Sequence, residues 1–289
     1  MLARREEILS EDSLESTRLC MTLSDVLNLM KSDRCNFQSL AAAIENNKSI
    51  VQKVLGRVNS PLFGLGNPVK ELYHGVSILG IRRVRELLLQ STSNHFYHHF
   101  LKIEGALQEM KKHSIAVGCY AEEMAKALRQ VFSKEFYKAA LLHDIGKYPL
   151  LIAMGSGYLK LQQQAEEMNY SFFQHERDQL RFDHTEIGYE MAQAWELKES
   201  FANVIRYHHE ITEEQKEALT TRDTWLVEII SFANLMCQAS GVRSRRSVYR
   251  KYLSDLPPPP GDFAVNQLEK ISEQANSRYM EELKALGIL

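Results

Sequence analysis

Apolar residues recur along this chain at helical rather than strand spacing. Leu23, Val26, Leu27 and Met30 form one such run, Val84, Leu87 and Leu88 a second, and Val117, Tyr120, Met124 and Leu128 a third. Steps of three and four place each set on one face of a helix. Few runs alternate apolar with polar residues over more than a few positions, and β-branched residues are not clustered. The pattern predicts an all-α protein, a bundle of helices without a sheet.

Turn-forming residues divide the pattern. Asn59-Ser60-Pro61 with Gly64, Gly66, Asn67 and Pro68 makes one irregular connection, and Gly155, Ser156 and Gly157 another. Leu256 to Gly261 contains four consecutive prolines, which fix φ and remove donors, so it reads as a rigid spacer before the last helix. A softer boundary lies at Phe100 to Gly105, after the polar and aromatic stretch Ser93 to His99. The expected organisation is an N-terminal helical lobe over 1–105 and a second helical lobe, with C-terminal helices, over 106–289. No repeat of fixed period is present.

Composition adds limits rather than direction. Of 289 residues, 44% are hydrophobic and 25% charged, with a formal net charge of -2. That is enough apolar material for a sizeable core, and the near-neutral charge does not call for nucleic acid as the principal partner. The four cysteines are scattered, with no C-x-x-C pair, as expected of reduced thiols in the cytoplasm. The N-terminus is charged and lacks the apolar core of a signal peptide. No stretch reaches the roughly 20 apolar residues that span a bilayer, so no membrane partner is expected.

Chemistry concentrates in a few histidine segments. Ala139-Ala140-Leu141-Leu142-His143-Asp144-Ile145-Gly146-Lys147 brings an imidazole and a carboxylate out of an apolar run. Such groups are costly to bury unless paired or metal-bound, and a buried His–Asp hydrogen bond is the plainer alternative. His113 precedes this pair. His184 follows in Asp183-His184-Thr185-Glu186-Ile187-Gly188, and His208-His209 ends an apolar helix carrying Phe201, Val204 and Ile205. We expect each to lie near a helix end, with His113 opening an amphipathic helix, and all to face one centre in the bundle, where helical proteins build their metal sites.

These segments resemble the ligand order of the HD superfamily of metal-dependent phosphohydrolases, to which the HD-GYP enzymes belong. The N-terminal part resembles the HDOD branch. Ile50 to Gly64 matches its helix followed by N-S-x-x-[FY]-G, and Gly75 to Val84 matches a second segment. Trp195 and Leu197 stand where that family writes W-x-L-P, with Lys198 replacing the proline. The resemblance implies an all-helical two-lobed fold and metal ligands at His113, His143, Asp144, His184, His208 and His209. It also implies one or two divalent transition metals. Iron, manganese, zinc and cobalt all suit imidazole with carboxylate, iron being slightly favoured. Two departures stand out. Asn234 occupies the place of a late aspartate ligand, and Glu210 to Glu214 replace the GYP segment.

Two functions fit. The first is a bacterial signal-transduction module that contacts regulatory or signalling proteins in trans, with a retained but incomplete metal site. The alternative is a phosphohydrolase acting on a nucleotide or cyclic nucleotide. There Asp144 would bridge two cations about 3.5–4 Å apart, and Lys147 would neutralise charge developing on phosphoryl oxygens. Other features carry less. His95, His98 and His99 are expected in an exposed stretch between the lobes, and His74 and His175 have no identifiable partner. Arg243, Arg245, Arg246, Arg250 and Lys251 read as a solvated helix face, and Met21, Met30, Met110, Met124 and Met168 as core packing.

Overall fold

The computed structural model describes residues 4–30, 32, 35–90, 94–130, 132–239, 256–261, 263–286 and 288. Among these the chain forms sixteen α-helices and one 3-10 turn, with no strand, as the helical periodicity requires. In order they are α1 (Arg5–Ile8), α2 (Glu11–Met30), α3 (Phe37–Ile44), α4 (Lys48–Val58), the 3-10 turn Pro61–Phe63, α5 (Leu72–Leu79), α6 (Ile81–Gln90) and α7 (Asn94–Ala127). There follow α8 (Ser133–Ala140), α9 (Lys147–Met154), α10 (Ser156–Glu167), α11 (Phe172–Leu180) and α12 (His184–Ala194). The last four are α13 (Glu199–Tyr207), α14 (Glu213–Ala218), α15 (Thr221–Ala239) and α16 (Val265–Leu286). No described helix is long and apolar enough to cross a membrane.

Two compact units emerge. One comprises Glu15–Gly105 with Leu283–Leu289, the other Met1–Leu14 with Ala106–Glu282. In the first unit α4 packs on α5 and α6 through Val54, Val58, Val76, Val84 and Leu88, all buried. The helices begin where polar side chains can cap them: Asn36 accepts from the Ser39 N–H at 2.9 Å and Asn47 from the Ile50 N–H at 3.1 Å. Asn59 explains the irregular connection after α4. Its Oδ1 accepts from the Val69 N–H at 2.7 Å and its Nδ2 donates to the Val69 carbonyl at 2.9 Å, closing the intervening loop. Gly64 turns that loop in the left-handed region at φ 58.

In the second unit α12 packs on α13 and α9, and α13 on α8 and α15. Ile145, Met191, Ala192, Ala202 and Ile205 form the core between them, with Leu14, Leu142, Trp195 and Leu197 packed against it. The first residues cluster here because Ile8 is fully buried and Arg5 pairs with Glu186 and Glu190 of α12. Trp195 ends α12, and the Leu197 N–H returns to the Ala192 carbonyl at 2.9 Å. Lys198 then starts the next helix at φ -56, within proline's range, so the substituted proline costs the turn nothing.

Several local expectations change. His113 does not open a helix but sits deep inside α7, which runs through 94–99 and leaves His98 exposed. No proline interrupts that segment, so the helix can run through it. His143 and Asp144 lie in tight turns between α8 and α9 rather than on a helix proper. Met110 and Met124 are buried, whereas Met168 is 57% exposed at the end of α10. The proline run is non-helical, as expected. The arginine cluster at 243–251 and the side chain of His95 lie outside the described residues.

Candidate metal centre

The turns after α8 set the centre. The His143 N–H bonds back to the Ala140 carbonyl, and the Ile145 N–H to that of Leu142. This tight winding turns both His143 and Asp144 inward. Gly146 then passes against the start of α12 so closely that a Cβ there would stand 1.9 Å from the His184 carbonyl oxygen. Gly188, one turn along α12, meets Gly146 from the other side. The Gly146 φ of -67 does not require glycine, so space does. Asp183 caps α12 by accepting from the Thr185 and Glu186 N–H groups, and Arg177 holds its other oxygen at 2.6 Å. This fixes His184 at the first helical position.

Asp144 lies at the middle. Its Oδ1 is 3.3 Å from His184 Nε2 and 3.4 Å from His208 Nε2. Its Oδ2 is 3.4 Å from His143 Nε2, 3.7 Å from His113 Nε2 and 2.7 Å from Lys147 Nζ. Two candidate ligand groups share it: His113, His143 and Asp144, and Asp144, His184, His208 and His209, each with donor atoms within 4.8 Å of one another. The residues singled out in the sequence are thus brought together. Asn234 is buried on α15, which packs on α13, the helix leading into His208.

Two observations test the set against a cation. First, His143 Nε2, His208 Nε2 and Asp144 Oδ1 are buried without a hydrogen-bond partner, a state proteins rarely tolerate. Second, three of the five rings have the opposite nitrogen engaged, while His113 Nδ1 is buried without a partner. His143 Nδ1 donates to the Ala140 carbonyl at 2.7 Å, His208 Nδ1 to the Ile205 carbonyl at 3.1 Å, and His184 Nδ1 to Glu176 Oε2 at 2.5 Å. Each such bond fixes the tautomer whose Nε2 lone pair faces the centre, the arrangement of metal-bound histidines. The donor set fits one or two divalent cations.

Electrostatics agree. Burial pushes His113 down to about 3 and His208 to about 4, and holds His209 well below its usual value, so these rings are neutral donors at neutral pH. Burial opposes ionisation of Asp144, but His143 and Lys147 outweigh it and hold the carboxyl well below the usual range. His184 behaves differently. Burial disfavours its charge, yet Glu176 raises it to about 9. Its Nε2 lies 3.1 Å from His209 Nε2, a spacing that needs a proton or a cation between the two.

Glu176 and Tyr158 escaped the sequence reading, which stopped one residue short at His175. His175 is itself buried, with Nε2 unpaired. Glu176 accepts from His184 Nδ1, from the His184 backbone N–H at 3.2 Å, and from the Tyr158 hydroxyl at 2.5 Å. No periodic signal marks such a contact, because it is made between α10, α11 and α12. Glu176→Gln keeps the shape but loses the charge that orients His184. Metal affinity, read by competition with a chromophoric chelator, is expected to fall about 10–100-fold. Unchanged affinity would refute this role.

Comparison with known proteins follows the same lines. The HDOD domain family model matches residues 18–211. An uncharacterized protein of Treponema pallidum (strain Nichols) is 24% identical over 216 residues, 74% of this chain and 40% of that protein. The chain therefore spans two-fifths of this relative's length. Among solved structures, an HDOD domain protein of unknown function from Geobacter sulfurreducens is 20% identical, with a TM-score of 0.44, over 92% of this chain and 87% of that one. The MmoQ response regulator of Methylococcus capsulatus str. Bath is 16% identical, with a TM-score of 0.43, over 90% and 96%.

Proposed function

This chain belongs to the HDOD domain family, and on that premise we propose that it is a cytoplasmic regulatory module that acts by contacting other proteins in trans. Its metal centre consolidates the second unit rather than turning over substrate. The observation that carries this reading is burial: Asp144, His143, His184 and His208 are at most 2% exposed. A phosphodiester has to reach the cations, and this ligand set leaves only His209 and Lys147 partly open to water. Asn234 adds to it, because a neutral amide is a weaker ligand for a divalent cation than a carboxylate. The cation is iron, manganese, zinc or cobalt, with iron first, since the set holds imidazole and carboxylate but no thiolate. The cysteines are free and three are buried, in keeping with a reducing compartment.

One observation favours the alternative of a nucleotide phosphohydrolase. Lys147 stands 2.7 Å from Asp144, where a cationic side chain would face a phosphoryl group. Cations held here would supply Lewis-acid polarisation of that group and of water. A phosphodiesterase screen of the metal-loaded protein decides between the readings. The wild type is expected to be silent on a broad panel of nucleotides and cyclic nucleotides, while Asn234→Asp raises metal occupancy by elemental analysis. Wild-type turnover that disappears in Asp144→Ala would overturn the regulatory reading.

A further inference from the structure

The charge of this chain is unevenly placed. Its net charge is -2, yet from Lys53 to Glu86 six basic residues, Lys53, Arg57, Lys70, Arg82, Arg83 and Arg85, face two acids, Glu71 and Glu86, of which Glu86 pairs with Arg82 at 3.1 Å. All six are exposed. The same segment carries three large apolar side chains in water: Leu62 at 77%, Tyr73 at 53% and Leu65 at 42% exposure. Apolar residues rimmed by charge in this way mark interaction surfaces more often than accidents of packing.

Part of this set is tied to one loop. Asn59 clamps both backbone groups of Val69, closing a loop that Arg57 and Lys70 flank in sequence. The Arg83 guanidinium sits over the Phe63 ring at 5.7 Å, tying α6 to the same loop. The same loop bounds an open pocket of about 230 Å³, lined by Asn59, Pro61, Leu65 and Pro68 with other residues of 59–68. Its walls are already ordered by the clamp and by two prolines, so filling it costs little conformational entropy.

We propose that this corner of the first unit is a docking surface for an acidic protein segment that inserts an apolar side chain into the cavity. This names the partner chemistry of the regulatory reading and rests on it. Charge complementarity selects an acidic partner and speeds its encounter. The apolar groups select a protein among acidic partners, since phosphates of a nucleic acid offer nothing to cover leucines. A concavity lined by Leu65 and prolines accepts one inserted side chain, and the vesicle comparison below sets an acyl layer against it.

Fluorescence anisotropy on the full chain at about 0.15 M salt tests it. The probe is a labelled synthetic helical peptide with glutamates on one face and leucines on the other. The same peptide with alanine for leucine, duplex DNA, and vesicles of equal parts phosphatidylserine and phosphatidylcholine are the comparisons. The leucine peptide is expected to bind most tightly. Arg57→Glu with Lys70→Glu, and separately Leu65→Ser, are expected to weaken it by about tenfold or more, with far-ultraviolet spectrum and thermal midpoint unchanged because these side chains are exposed. No binding of the peptide, binding indifferent to charge reversal, or preference for DNA or vesicles overturns the proposal. So does a concentration-dependent dimer abolished by Leu62→Ser, which would make a second copy the occupant. Turnover in the phosphodiesterase screen would sink the regulatory reading while leaving this binding result intact, and silence there with no peptide binding would sink this surface alone.

Discussion

Asp144→Ala is expected to abolish retention of metal at both positions. After dialysis against a chelator and reloading, elemental analysis should find the wild type charged and the variant holding less than about a tenth of that metal. The two ligand groups share this carboxylate and hold no other. What remains are imidazoles, three on one side and two on the other. The wild type should also gain thermal stability on reloading, about 2.7 kcal/mol at a hundredfold excess over Kd, and the variant should not. Asp144→Asn, which keeps the shape and one neutral oxygen, separates loss of charge from loss of packing. Wild-type metal content in Asp144→Ala would show that the histidines alone hold the ion and that the shared carboxylate is incidental.

Why those ligands were visible before the fold, and others were not, follows from where each contact is made. Val117, Tyr120 and Met124 repeat along one stripe and are all fully buried, because the period that buries them is written locally in a single helix. His143, Asp144 and Lys147 also sit on one short segment. Their polarity is conspicuous after Leu141 and Leu142, so the conflict between polar groups and an apolar run is itself the signal. His113 was harder to place. It lies well inside α7, and its environment depends on Asp144 arriving from another segment. Glu176 shows the limit most clearly. Its partners Tyr158 and His184 belong to different helices, and a lone glutamate on an amphipathic helix looks like any solvated acid until α10 and α12 close over it. Asn59 is intermediate: its turn-forming surroundings were readable, but its two bonds to Val69 were not.

Gly146 connects the local winding to the centre most tightly, and Gly146→Ala should be the most damaging small substitution in the second unit. Its backbone is helical at φ -67 and ψ -17, so alanine fits the conformation and would ordinarily be favoured over glycine. The obstacle is steric. The added methyl would stand 1.9 Å from the His184 carbonyl oxygen and 2.5 Å from the Gly188 nitrogen, atoms of the backbone that no rotamer change can move. The start of α12 would have to retreat, carrying His184 away from Asp144. Overpacking usually costs 1–3 kcal/mol, and against backbone we expect about 3 kcal/mol or more. Metal affinity should fall with it. Gly157 supplies the control, being helical in α10 with nothing nearer than Met154 Cβ at 4.0 Å. Gly157→Ala should leave stability unchanged or slightly raised. Thermal and urea unfolding of the two variants, each with and without metal, is the measurement. If Gly146→Ala proved as stable as Gly157→Ala and bound metal as tightly as the wild type, the close approach of the His-Asp turn to α12 would not be what holds the centre together.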